Sequence, residues 1–171
     1  MRYFTRGFTN GELDDDESDR VVAAYRQRLV DIAPRLAGAM LQLARDVDVH
    51  DAIIESVQWT PDSKELAVTL VAGAGERGCR SIALAYTGAR LGRERIESLR
   101  RAALHRETQV LYQEVDVDDD GLMVHRLLFW PCEEVTIEFD ALRLDVAVRE
   151  DSRVRLRGAF VESQSRDEAT S

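Results

Sequence analysis

The sequence predicts an α+β fold: an N-terminal helix or helix pair, followed by a mainly antiparallel meander sheet with one further helix. Three observations carry this reading. Apolar residues recur at helical spacing up to about Arg45 and then switch to alternation. The alternating segments follow one another through short turn-like links rather than through intervening helices. One later stretch, 92–106, returns to helical spacing.

Residues 1–10 read as a short extended segment, with Tyr3, Phe4 and Phe8 free to pack, and Gly11 marks a turn. The acidic run Asp14, Asp15, Asp16 and Glu17 then sits where a helix begins, beside the positive end of its dipole. Val22, Tyr25, Leu29 and Ile32 follow at helical spacing, so 16–33 reads as an amphipathic helix. Pro34 ends or kinks it, and Leu36, Met40 and Leu43 continue the helical pattern to about Arg45.

Beyond His50 the period becomes two. Ile53, Glu55, Val57 and Trp59 are expected on one face of a first strand. Pro61-Asp62-Ser63 is turn chemistry, 65–72 is a second strand, and Ile82, Leu84 and Tyr86 alternate in a third. Ile96, Leu99 and Ala103 share one face of the helix over 92–106. Strands over 109–117 and 122–130 flank an Asp-Gly turn, and two more strands alternate through Val135–Phe139 and Leu142–Val148. Val154 and Leu156 add a short last strand. Residues 1–162 are expected to form a single domain, and 163–171 a frayed polar tail.

Composition bounds the function. A chain of 171 residues is long enough to bury a core without staples, and 44% hydrophobic content supports globular folding. The formal net charge of −9 repels nucleic-acid phosphates and anionic membranes as a whole. Lys64 is the only lysine, a bias expected of a GC-rich genome. The chain opens without an apolar leader, and no apolar run approaches the ~20 residues of a membrane helix. The expected location is the cytoplasm, with Cys79 and Cys132 as reduced thiols.

Four motifs tempt a chemical reading. Gly73–Gly78 fits G-x-G-x-x-G, but a strand follows where a dinucleotide site needs a helix, so it reads as a loop between antiparallel strands. Asp116–Gly121 begins like a calcium loop, yet Leu127 occupies the position of the bidentate Glu, and the segment reads as a hairpin. The histidines His50, His105 and His125 lack metal-site spacing. His125 reads as a hydrogen-bonded histidine at the core edge, and His50-Asp51 as a device that fixes the start of the sheet. Arg90, Arg93, Arg95, Arg100, Arg101 and Arg106 cluster on the third predicted helix, a solvated face or a basic patch centred on Arg93, Arg100 and Arg101.

Tyr3-Phe4-Thr5, Val49-His50-Asp51-Ala52, and Leu111-Tyr112-Gln113-Glu114 followed by His125-Arg126-Leu127-Leu128-Phe129 form a recognisable set. Together they resemble a bacterial family of unknown function. Its members carry an N-terminal Y-F-T, a central L-H-D-A or L-H-D-C, and an L-Y-E-E strand followed by an H-x-L-F strand. Val49 and Gln113 depart from that pattern, and the arginine-rich segment near 90–106 is longer. The resemblance implies no activity. Its small cytoplasmic α+β character is similar to that of immunity proteins that neutralise bacterial toxins.

Three functional expectations follow. The first is a non-enzymatic protein-binding module, such as a toxin-neutralising immunity protein, with another protein as partner and no cofactor, metal or membrane. The second is an enzyme or small-ligand protein whose site gathers His50, Asp51, Tyr112, Glu114 and His125. The third, and weakest, is nucleic-acid binding through the arginine-rich helix, which the net charge of −9 disfavours.

Overall fold

The computed structural model describes residues 1–73, 79–105, 107–131, 133–149 and, as backbone, 159–162. The N-terminal part holds α1 (Arg6–Thr9), α2 (Asp15–Ile32) and α3 (Gly38–Asp46). A short 3-10 turn, Ala33–Arg35, separates α2 from α3. The expected helix pair is therefore present, split where Pro34 removes a donor from the ladder. Residues 1–10 differ from the extended segment expected of them. The Thr5 hydroxyl accepts from the Phe8 N–H, and that cap turns the chain into α1. The acidic run works as anticipated: Asp14 and Glu17 form a reciprocal capping box at the start of α2.

The sheet comprises β1 (Ile53–Thr60), β2 (Glu65–Ala72), β3 (Cys79–Thr87), β4 (Gln109–Val117), β5 (Met123–Trp130), β6 (Glu133–Phe139), β7 (Ala141–Arg149) and β8 (Ala159–Glu162), with α4 (Arg93–Leu104) between β3 and β4. Two antiparallel meanders, β1-β2-β3 and β4-β5-β6, are the units. They join through one residue pair, Ile53 with Gln109. The spatial order is β6-β5-β4-β1-β2-β3-β7, and β8 lies parallel to β1 along Ser56–Trp59. The last strand anticipated at Val154 and Leu156 and the tail at 163–171 lie outside the described residues, as do residues 74–78 of the glycine-rich loop.

This order forces the sheet to roll. β6 and β7 stand at opposite ends of a seven-strand path, six gaps of ~4.8 Å or roughly 29 Å apart if flat. Asp140 alone links them, and a single residue bridges about 7 Å at most. The ends must therefore meet. At that corner the Asp140 N–H donates to the Thr87 carbonyl at the end of β3 (2.9 Å), and the Arg90 N–H just beyond β3 donates to the Glu138 carbonyl of β6 (2.7 Å). Gly88, at φ +66°, makes the corner possible, since a side chain there would run into the Asp140 carboxylate.

One core joins the sheet to α3 and α4. Leu70, Leu84, Tyr86, Phe129, Ile137 and Phe139 come from the strands, Met40 and Leu43 from α3, and Leu99, Ala102 and Ala103 from α4. One facing expectation is corrected. Ile54, not Ile53, joins Val57 and Trp59 in the core, because a bulge between Ile54 and Ser56 shifts the phase of β1 by one residue. The Asp-Gly hairpin forms as expected: Asp118 and Leu122 exchange backbone and side-chain hydrogen bonds, with Gly121 at φ +87°.

Candidate functional site

The candidate residues distribute over the two faces of β4. A second bulge, between Val110 and Tyr112, sets the phase of this strand. Beyond it Tyr112, Glu114 and Asp116 share the outer face, while Gln113, Val115 and Val117 share the inner one.

On the outer face Glu114 is fully buried beneath the N-terminal segment. Its carboxylate accepts from three successive backbone N–H groups, those of Arg2 (2.8 Å), Tyr3 (2.7 Å) and Phe4 (2.8 Å). A buried carboxylate is tolerable only with such donors or a counter-charge, and the Arg126 guanidinium at 3.7 Å adds the second. The segment so tied down places Phe4 among three rings. It stacks on Tyr112 (4.8 Å between centroids) and meets Tyr25 and Phe8 edge-on.

Asp116 continues this face toward α2. Its carboxylate accepts from Arg28 Nε (2.8 Å), the Val117 N–H (2.9 Å) and Arg126 Nη1 (3.1 Å). Burial pushes the Asp116 carboxyl up, but these donors outweigh burial and hold it below the usual carboxylate range. Arg28 also donates to the Val117 carbonyl, and the Tyr25 hydroxyl accepts from the Val115 N–H, so α2 is fastened to β4 at two points. Burial pushes the Tyr25 phenol well above its usual range, keeping it neutral.

His50 and Asp51 lie at the end of this surface and are exposed. His50 Nδ1 donates to the Leu111 carbonyl (2.6 Å), and its ring stands 5.9 Å from that of Tyr112. Asp51 adopts φ +58° and donates its N–H to the Val110 carbonyl (2.8 Å). The pair fastens the loop before β1 onto β4.

His125 lies on the inner face and is fully buried. Its partners define its tautomer. The Gln113 Oε1 can only accept, so His125 Nε2–H donates to it (3.1 Å), leaving Nδ1 to accept from the Tyr86 hydroxyl (2.7 Å). Gln113 in turn donates through Nε2 to the Val47 carbonyl (2.8 Å). Desolvation drives the His125 pKa down to about 3, so the imidazole is neutral, and burial also raises the Tyr86 phenol.

The five residues expected in one site are thus brought together only in part. His50, Asp51, Tyr112 and Glu114 follow one another along the outer face. His125 faces the other way, paired across the ladder with Val115 while Glu114 pairs with Arg126. Among the described residues no group of three or more histidine, cysteine or carboxylate side chains is placed to hold a metal ion. A shallow open cleft lies elsewhere, over Gln58, Ala67, Ala85 and Arg143.

The arginines of α4 are mostly engaged. Arg101 forks onto Glu133, Arg100 stands 3.6 Å from Glu97, and Arg95 meets Glu138. Arg93 lines an open recess with Glu94 and Glu97, and Arg106 lies outside the described residues. Sequence reasoning missed Tyr25, Arg28 and Tyr86, since partners so distant in sequence leave no local signal. A local sign did exist for the outer face: Glu114 and Asp116 alternate as carboxylates opposite Arg126.

Fold and site together define an α+β protein whose rolled antiparallel sheet is clasped on one strand by its own N-terminal segment. The chain belongs to the family described as "Protein of unknown function (DUF4085)", which matches residues 11–139. The matched span ends at Phe139, so the Asp140 corner, β7 and β8 fall beyond it. No curated protein matches the chain. No solved structure matches it either. Among the described residues, no helix is long and apolar enough to cross a membrane.

Proposed function

We propose that the protein is a non-enzymatic, cytoplasmic binding module for another protein and that the acidic start of α2 meets a basic surface on that partner. The observation that carries this reading is the state of Asp15, Asp16 and Asp19. All three are exposed on the first turns of α2, and none meets a cation among the described residues. Asp14 and Glu17, by contrast, are occupied in capping the helix. In a chain of net charge −9, such a surface steers a basic partner and speeds encounter. Covering the basic active site of a toxin such as a nuclease, as an immunity protein does, is one form of this activity.

The rival reading, a catalytic or small-ligand site around His50 and His125, has less support because the two histidines serve opposite faces of β4. Nucleic-acid binding through Arg93, Arg100 and Arg101 is weaker still, given the carboxylates beside two of them. The test is affinity capture from nuclease-treated host lysate at low and moderate salt, with mass spectrometry of what is retained. We expect one stoichiometric protein that weakens with salt and is lost when Asp15, Asp16 and Asp19 all become lysine. An empty column at both salts, or retention indifferent to the triple change, overturns the proposal.

A further inference from the structure

We propose that β7 is a self-recognition edge through which two copies of this chain pair antiparallel, joining their sheets. β7 is nine residues long and pairs with β3 on one side only. Among the described residues no strand occupies its other side. A long unpaired edge is a template for another strand, and natural proteins either blunt it or use it.

The side chains of β7 indicate which strand fits. Arg143 and Asp145 are exposed on the outer face. Their neighbours across the ladder on β3 are Ala85 and Ala83, which offer no charge. Neither meets an opposite charge among the described residues, so both are held by solvent and are free to meet a counter-charge across the open side. On the inner face Leu142 and Leu144 are half-buried, while Val146 is exposed.

Two identical antiparallel strands on a two-fold axis must pair residues of like facing, which allows few registers. An axis at Arg143 sets that arginine opposite itself. An axis at Asp145 does the same for the aspartate, and an axis at Val146 opposes Arg143 to Arg149. Like charges directly opposite are destabilising. An axis at Ala147 opposes Asp145 to Arg149, but Arg149 is already held by Glu55 at 2.6 Å, and that register overlaps only five residues of β7. The axis at Leu144 opposes unlike charges with neither engaged elsewhere: Arg143 of each copy faces Asp145 of the other, twice. The same register sets Leu142 against Val146 and Leu144 against its own copy on the inner face. Both faces of the edge are therefore complementary to themselves in one register. A strand pair buries less than the ~1,200 Å² of a standard stable interface, so the association is weak and concentration-dependent.

Sedimentation equilibrium of the full chain from micromolar to millimolar concentration tests this. We expect the mass to rise from one chain toward two. Asp145→Arg and Arg143→Asp should each shift the dissociation constant at least tenfold toward monomer. The double exchange, Arg143→Asp with Asp145→Arg, should restore dimer, because it rebuilds both ion pairs with reversed sign. Both sites are exposed, and unchanged circular dichroism and melting temperature will show that the variants fold. A chain that stays monomeric throughout overturns the inference. So does a dimer that ignores the single changes or fails to return with the double exchange.

Discussion

The two faces of β4 bury polar groups by opposite means. On the outer face the groups are charged: Glu114 and Asp116 keep their negative charge because backbone N–H groups and three arginines surround them. On the inner face Tyr86, His125 and Gln113 form a neutral chain of hydrogen bonds with no counter-charge. The difference follows from what covers each face. A peptide segment and an amphipathic helix can bring donors and guanidinium groups, whereas a packed apolar core can accept only groups that surrender their charge. Both faces spend their polar side chains on holding the fold, a use that would otherwise pass for chemistry.

The sharpest way to break this comparison is Glu114→Ala. It strands three backbone donors and leaves Arg126 short of a partner, and we expect a loss of about 3–5 kcal/mol in chemical denaturation, the cost of breaking a buried charged arrangement. Phe4→Ala should follow at about 3 kcal/mol, by removing the ring that stacks on Tyr112 and exposing the seam below it. If either change proved neutral, the N-terminal segment would be a loose appendage rather than a clasp.

The inner face should prove less costly but more sensitive to pH. His125→Phe leaves the Tyr86 hydroxyl and the Gln113 carbonyl without their buried partner, for about 1–3 kcal/mol. The folded His125 pKa of about 3 lies below its ordinary 6.5. Below 6.5 the unfolded chain takes up this proton and the folded chain does not. The histidine's contribution is thus complete above that pH and lost as pH falls toward 3, at no more than about 1.4 kcal/mol per pH unit. Asp116, held below the carboxylate range, contributes above its unfolded pKa and gives way only at still lower pH. Denaturation series from pH 7 to 4, run on wild type and His125→Phe, should therefore differ in slope, wild type falling faster; equal slopes would mean that the histidine is not buried neutral.

The smallest effect is expected of His50→Ala, within about 0.5 kcal/mol, since the ring is exposed and holds one carbonyl. This near-neutral variant separates the rival functions. A large loss of some binding activity at unchanged stability would revive a ligand site at His50.

Much of this fold was legible in the sequence because its cues are local. The capping box at Asp14, the break at Pro34, the Asp-Gly turn and the alternation of Val135, Ile137 and Phe139 each involve residues within one element. The bulges in β1 and β4 were not legible, since a one-residue slip in facing is decided by the partner strand. The candidate site was half legible. The stretches Tyr3-Phe4-Thr5, His50-Asp51 and Leu111–Glu114 do meet, as Phe4 lies on Tyr112 and His50 holds Leu111. That His125 belongs to the opposite face rests on the phase of β4 after its bulge. No pattern in the residues announces that phase.

The one-residue corner at Asp140 also has a meaning in time. A ribosome delivers β1, β2 and β3 early, but the strand that covers the flank of β3 arrives only after α4 and the whole second meander. Until the chain has emerged beyond Arg149, β3 is a bare edge on a nascent protein, the kind of site that invites chaperones or misassembly. Covering β3 thus falls to the strand just outside the span that the family matches, so a chain cut at Phe139 would keep every strand from β1 to β6 and leave β3 bare.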